Sequence, residues 1–163
     1  MIKEDEESSK MKVVSRDLQA IQPLVIKLER LDMYIQPMTY TSEGQGGPNL
    51  EWLHGLLTID AHPFAATFDW SIEPLELRNL AEELTRIYKD FSTDVVELKP
   101  IEGGLFLTFK LSATRGNIIG KFEIRPEMSE KKHLVGEFGC DQTYIPIITK
   151  AIYDFLQTIL ICT

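Results

Sequence analysis

The chain has 163 residues, 44% of them apolar and 26% charged, and a formal charge of −8. That length supports one core of ordinary size, burying roughly 70% of the unfolded surface without metal or disulfide help. The composition excludes a disordered or fibrous chain. Its 17 basic against 25 acidic residues argue against nucleic acid or an anionic membrane as partner, because phosphate recognition needs basic patches.

Residues 1 to about 20 read as a flexible acidic arm, with Glu4, Asp5, Glu6 and Glu7 ahead of Ser8 and Ser9. The charged first ten residues do not read as a signal peptide. No apolar run approaches the roughly 18 residues of a membrane span. Residues 21–163 are expected to form a single α+β domain. From Leu24 the apolar residues alternate, then shift phase to Leu31, Met33 and Ile35, which predicts a β-bulge near Glu29–Arg30. Thr41 to Asn49, with three glycines and Pro48, reads as a loop.

Glu51–Asp60 and Phe64–Ile72 flank a short turn and predict an antiparallel hairpin. In its second strand Phe64, Ala66, Phe68, Trp70 and Ile72 share one face, while Ala65, Thr67, Asp69 and Ser71 share the other. The period then changes. Leu77, Leu80, Ala81, Leu84, Ile87, Tyr88 and Phe91 recur at three and four residues, the stripe of an amphipathic helix. Pro74 and Glu76 suit its first turn. Strand alternation returns at Val95–Leu98, Leu105–Leu111, Ile118–Ile124 and Leu134–Phe138. A last helix follows, capped by Asp141 or Thr143, with a stripe from Tyr144 to Leu160. The order predicts an antiparallel meander sheet of about seven strands with two amphipathic helices packed on its apolar face.

No catalytic, metal or cofactor site emerges from the motifs. Gly44-Gln45-Gly46-Gly47-Pro48 lacks the Lys-Ser/Thr ending of a P-loop and precedes a strand. His54, His62 and His133 have no zinc-ligand spacing between them, and no Gly-x-Ser-x-Gly elbow occurs. Cys140 and Cys162 flank the last helix, about 27 Å long, and so cannot form a disulfide with each other. Two free thiols fit a reducing, cytoplasmic setting.

Charge is more informative. Between Thr41 and Glu102 stand twelve acidic and four basic side chains, so this segment alone holds the whole −8. An acidic surface steers a basic partner. Glu76, Glu82, Glu83, Glu97 and Glu102 are the candidate partner-binding residues on the helix and the segments after it, with Asp69 the candidate on the sheet. An alternative is an interaction module, homodimeric through a polar sheet face of Thr67, Thr108, Lys110, Lys121, Glu123 and Arg125.

Several stretches carry a family resemblance. Asn49-Leu50-Glu51-Trp52-Leu53-His54-Gly55 opens the hairpin, and Phe68-Asp69-Trp70-Ser71-Ile72 leads into the first helix. Pro100-Ile101-Glu102-Gly103 precedes one strand and Arg115-Gly116-Asn117-Ile118 leads into the next. Phe138-Gly139-Cys140-Asp141-Gln142-Thr143-Tyr144-Ile145-Pro146 opens the last helix. The chain resembles, over residues about 24 to 160, the WapI-like family of small bacterial proteins, whose named members are immunity proteins for contact-dependent toxins. The resemblance implies a cytoplasmic, non-catalytic protein that binds and neutralises a cognate toxin, often a nuclease. It carries over no catalytic motif.

Overall fold

A computed structural model describes residues 12–44, 50–112, 116–126 and 131–161. Strands β1 (Lys12–Asp17), β2 (Leu24–Leu28), β3 (Leu31–Gly44), β4 (Leu50–Ala61) and β5 (Phe64–Ile72) come first. Helix α1 (Pro74–Asp90) follows. Then come β6 (Val95–Leu98), β7 (Leu105–Leu111), β8 (Asn117–Ile124), β9 (Leu134–Asp141) and α2 (Tyr144–Ile161).

The α+β class and the two helices match the sequence reading, but the single seven-strand meander does not. There are two antiparallel sheets. One has the order β1-β3-β4-β5 with β2 also on β3, and the other runs β6-β7-β8-β9. Helix α1 carries the chain away from β5, so β6 starts a new sheet instead of extending the old one. One short bridge, with Glu29 and Gly139 exchanging backbone bonds of 2.9 and 3.3 Å, joins the sheets.

Two local expectations also fail, for related reasons. The phase shift near Glu29–Arg30 is a reversal and not a bulge: Arg30 takes a φ of 69°, and Leu28 pairs with Leu31 across the turn. Leu28 and Leu31 are therefore on the same face, which preserves the apolar pattern. The irregularity in this strand lies at Pro37–Thr39, where the register on β4 shifts. Proline has no N–H to give a ladder, so a bulge accommodates it. Residues 12–17, read from the sequence as part of the flexible arm, form β1. Five-residue β2 covers only the first part of fourteen-residue β3, and β1 pairs with the remainder, Thr39–Gly44. Residues 1–11, 45–49 and Cys162 lie outside the described residues, and so does most of the glycine-rich loop.

Both sheets and both helices contribute to one contiguous core. The helices pack on each other, α2 also on β2 and β9, and α1 on β6 and β4. In β8 and β9, Gly120 lies opposite Phe138 and Phe122 opposite Gly136. Each ring covers the glycine across from it: a Cβ on Gly120 would sit 2.1 Å from two carbons of Phe138. Phe138 meets Phe109 edge-on at 5.1 Å. Arg16 ties β1 to the far end of α2. Its guanidinium lies 4.6 Å from the centre of the Tyr40 ring and donates to the Ile159 carbonyl at 3.2 Å. A cation there complements the negative end of a helix with no basic residue in its own last turn.

Candidate functional site

The turn Pro100–Gly104, between β6 and β7, is held from several directions. Gly103 donates to the Pro100 carbonyl at 2.9 Å, closing the turn. Trp70 of β5 donates its indole N–H to the Gly103 carbonyl at 2.9 Å, in the interior. Arg125, after β8, donates to the Gly104 carbonyl at 2.9 Å. Glu76 of α1 accepts the Ile101 N–H at 3.0 Å. Gly103 and Gly104 have φ of 71° and 85°, and a Cβ on Gly104 would lie 2.8 Å from the Trp70 ring. Only glycine fits both demands at position 104. Despite these ties, Ile101 is 72% exposed and Glu102 is exposed beside it.

A shallow cleft is associated with each side of this turn. On the helix side, about 300 Å³ is lined by Glu76, Asn79, Glu83, Glu97 and Lys99, with Leu80 and Leu98. On the sheet side, about 430 Å³ is lined by Thr41, Trp52, His54, Ser71 and Glu102. There His54 Nδ1 lies 2.7 Å from the Ser71 hydroxyl, and Nε2 lies 3.3 Å from the Thr41 hydroxyl.

The candidate carboxylates fall into two groups. Glu76 is committed to structure: its other oxygen accepts the Glu73 N–H at 3.1 Å and closes the first turn of α1. Burial, chiefly, raises its pKa above the usual carboxylate range; the charges of Glu73 and Glu102 add to this, and the two amides work against it. Glu83 pairs with Arg86 at 2.9 Å, and Arg86 also pairs with Asp94 at 3.1 Å. Glu97 pairs with Lys99 at 3.1 Å. Asp69, Glu82 and Glu102 are exposed and make no ion pair among the described residues. Asp69 lies on the outer face of β5, opposite Leu56, and Glu82 on the solvent side of α1. The structure thus gathers Glu76, Glu83 and Glu97 around one cleft and Glu102 at the other, while Asp69 and Glu82 line neither.

Trp52, His54, Ser71 and Thr41 were not among the candidates. The hairpin register contained the signal: the turn that pairs Ala61 with Phe64 also sets His54 opposite Ser71. Glu102 reaches the same cleft only through the tertiary fold. The polar face of the alternative reading is not one surface, because Thr67 lies in the first sheet and Thr108, Lys110, Lys121 and Glu123 in the second. Val95, Ile119 and Val135 are interspersed among the latter residues, all at least half exposed.

No group of three or more His, Cys, Asp or Glu among the described residues is placed to hold a metal ion. Cys140 is buried, and that burial, with the nearby charges of Glu29 and Asp141, pushes its thiol up to about 12. A thiol so shifted is a poor nucleophile. No helix among the described residues is long and apolar enough to cross a membrane.

Fold and surface together describe a small two-sheet, two-helix α+β protein with a fixed, exposed turn between open clefts. The chain belongs to the immunity protein WapI-like family, whose model matches residues 21–159. No curated protein and no solved structure matches it.

Proposed function

We propose that this protein binds a cognate toxin in the cytoplasm and neutralises it by direct contact, without catalysis. Family membership supports the immunity role. The observation that carries the contact mode is the Pro100–Gly104 turn, which presents Ile101 and Glu102 to solvent while three other elements hold its backbone. A rigid exposed element loses little conformational entropy on docking, so more of its contact energy appears as affinity. The surrounding acid excess steers a basic partner and raises the association rate. A nuclease fits, because its phosphate-binding surface is basic and carboxylates can occupy the same field.

The test is co-expression with the C-terminal domain of a toxin encoded beside this chain, scored by growth rescue and by a stoichiometric complex. Charge reversal of Glu82, Glu83 and Glu102 to lysine should slow association and flatten its dependence on salt. Unchanged binding and unchanged salt dependence would sink the electrostatic part of the proposal. A second reading, self-association through the outer face of β6–β9, draws on the exposed Val95, Ile119 and Val135. Sedimentation of the wild type against Ile119→Lys separates the two, since only a self-associating chain would change mass.

A further inference from the structure

We infer that the cleft of Thr41, Trp52, His54, Ser71 and Glu102 is the socket for one arginine side chain of the toxin. The inference rests on the immunity reading above and adds the chemistry of the anchor. A guanidinium is planar, always charged and rich in N–H donors, so it needs an aromatic face, a carboxylate and neutral acceptors in one place. The cleft offers all three. Trp52 supplies the ring, the side chain best suited to a cation. Glu102 supplies a carboxylate that makes no ion pair among the described residues. Ser71 and Thr41 supply hydroxyl oxygens held in position by His54. In either tautomer of His54, both hydroxyls keep at least one lone pair for an incoming N–H.

The cleft, about 430 Å³ and open to solvent, has room for one arginine side chain. The helix-side cleft fits the role less well, because Lys99 lies within it, paired with Glu97 at 3.1 Å, and Glu76 is tied to backbone amides. An incoming guanidinium there would have to displace an existing cation. The two walls of the sheet-side cleft are also set in advance: the β4–β5 ladder fixes His54 against Ser71, and the bonds to the Pro100–Gly104 turn fix the backbone at Glu102. Ile101, the neighbour of Glu102 in the turn, is exposed and available for an apolar contact with the same partner.

The test measures affinity of the co-encoded toxin domain for the wild type, Trp52→Ala and Glu102→Gln at two salt concentrations. Both residues line an open cleft, and melting curves confirm that the variants are folded. Each variant should weaken binding by about tenfold or more, as expected for a central anchor, and Glu102→Gln should also lower the salt dependence. A cycle pairing Glu102→Gln with Arg→Gln changes across the toxin's basic surface should find one arginine whose loss costs little once Glu102 is gone. If both variants bind within about twofold of the wild type, or if no toxin arginine couples to Glu102, the socket is refuted while the immunity role stands. If the wild type neither binds nor protects, the immunity reading falls and the socket falls with it.

Discussion

Trp70→Phe tests whether the Pro100–Gly104 turn is as firmly held as its hydrogen bonds imply. Trp70 is 5% exposed, and its indole N–H reaches the Gly103 carbonyl at 2.9 Å. Phenylalanine keeps a ring in the core but removes that donor, leaving an acceptor in the interior that water does not readily reach. Such a group costs about 1–3 kcal/mol. The lost ring volume beside Gly104 adds a cavity term, so a total of about 2–3 kcal/mol is expected. For a chain of this size that lowers the melting temperature by roughly 5–10 °C. Urea unfolding measures the global loss. Amide hydrogen exchange measures the local one, at Ile101, Gly103 and Arg125, whose N–H groups bond to Glu76, Pro100 and Gly104. Their protection should fall more than that of the central strand β4. An unfolding free energy within about 0.5 kcal/mol of the wild type, with protection unchanged at these three amides, would show that the indole bond does not hold the turn.

Further outcomes follow from other contacts. Gly120→Ala would place its Cβ 2.1 Å from the Phe138 ring, which Phe109 blocks on another side. Overpacking of this kind costs about 1–3 kcal/mol in urea unfolding, and combining it with Phe138→Ala should be less than additive; strict additivity would refute the clash. Arg16→Ala removes the cation over Tyr40 and the bond to Ile159 at the end of α2, and should cost about 1–2 kcal/mol. An unchanged melting temperature would mean that these two Arg16 contacts do not stabilise the fold. Stability should also fall in alkali. The unfolded thiol of Cys140 ionises near pH 9 and the folded one only near 12, and Tyr40 is likewise raised to about 12 by burial and by Glu51. Both groups bind their protons more tightly when folded, so the stability they contribute is present below pH 9 and is lost as pH rises from 9 to 12. Cys140→Ala should flatten that decline, and an identical pH slope would contradict the assignment.

The elements themselves were largely legible in the sequence. Leu77, Leu80, Ala81, Leu84 and Ile87 announce α1 by their spacing, and each is buried. Leu105, Leu107, Phe109 and Leu111 announce β7 by alternation, and each is buried as well. Such patterns are local, so they survive without knowledge of neighbours. Phase was the weak point. A bulge and a hairpin turn both insert residues between two apolar runs, and only the φ of Arg30 and the Leu28–Leu31 pairing separate them. β1 was illegible for a different reason: its partner, the second half of β3, is distant in the chain, and residues 12–17 carry too few apolar side chains to form a pattern of their own.

The sequence by itself determined the α+β class, the two helical stripes, the family and the confinement of the charge excess to residues 41–102. All of these depend on residue type and on spacing along the chain. Only the tertiary structure decided that the strands divide into two sheets, which carboxylates are already paired, and that Glu102 meets Trp52 and His54 at one cleft. The physical reason is that an ion pair or a cleft depends on distances between elements. Those distances are set by how α1 crosses from one sheet to the next and by the bonds that hold the Pro100–Gly104 turn. The charge was visible from the start, but the location of its uncommitted part was not.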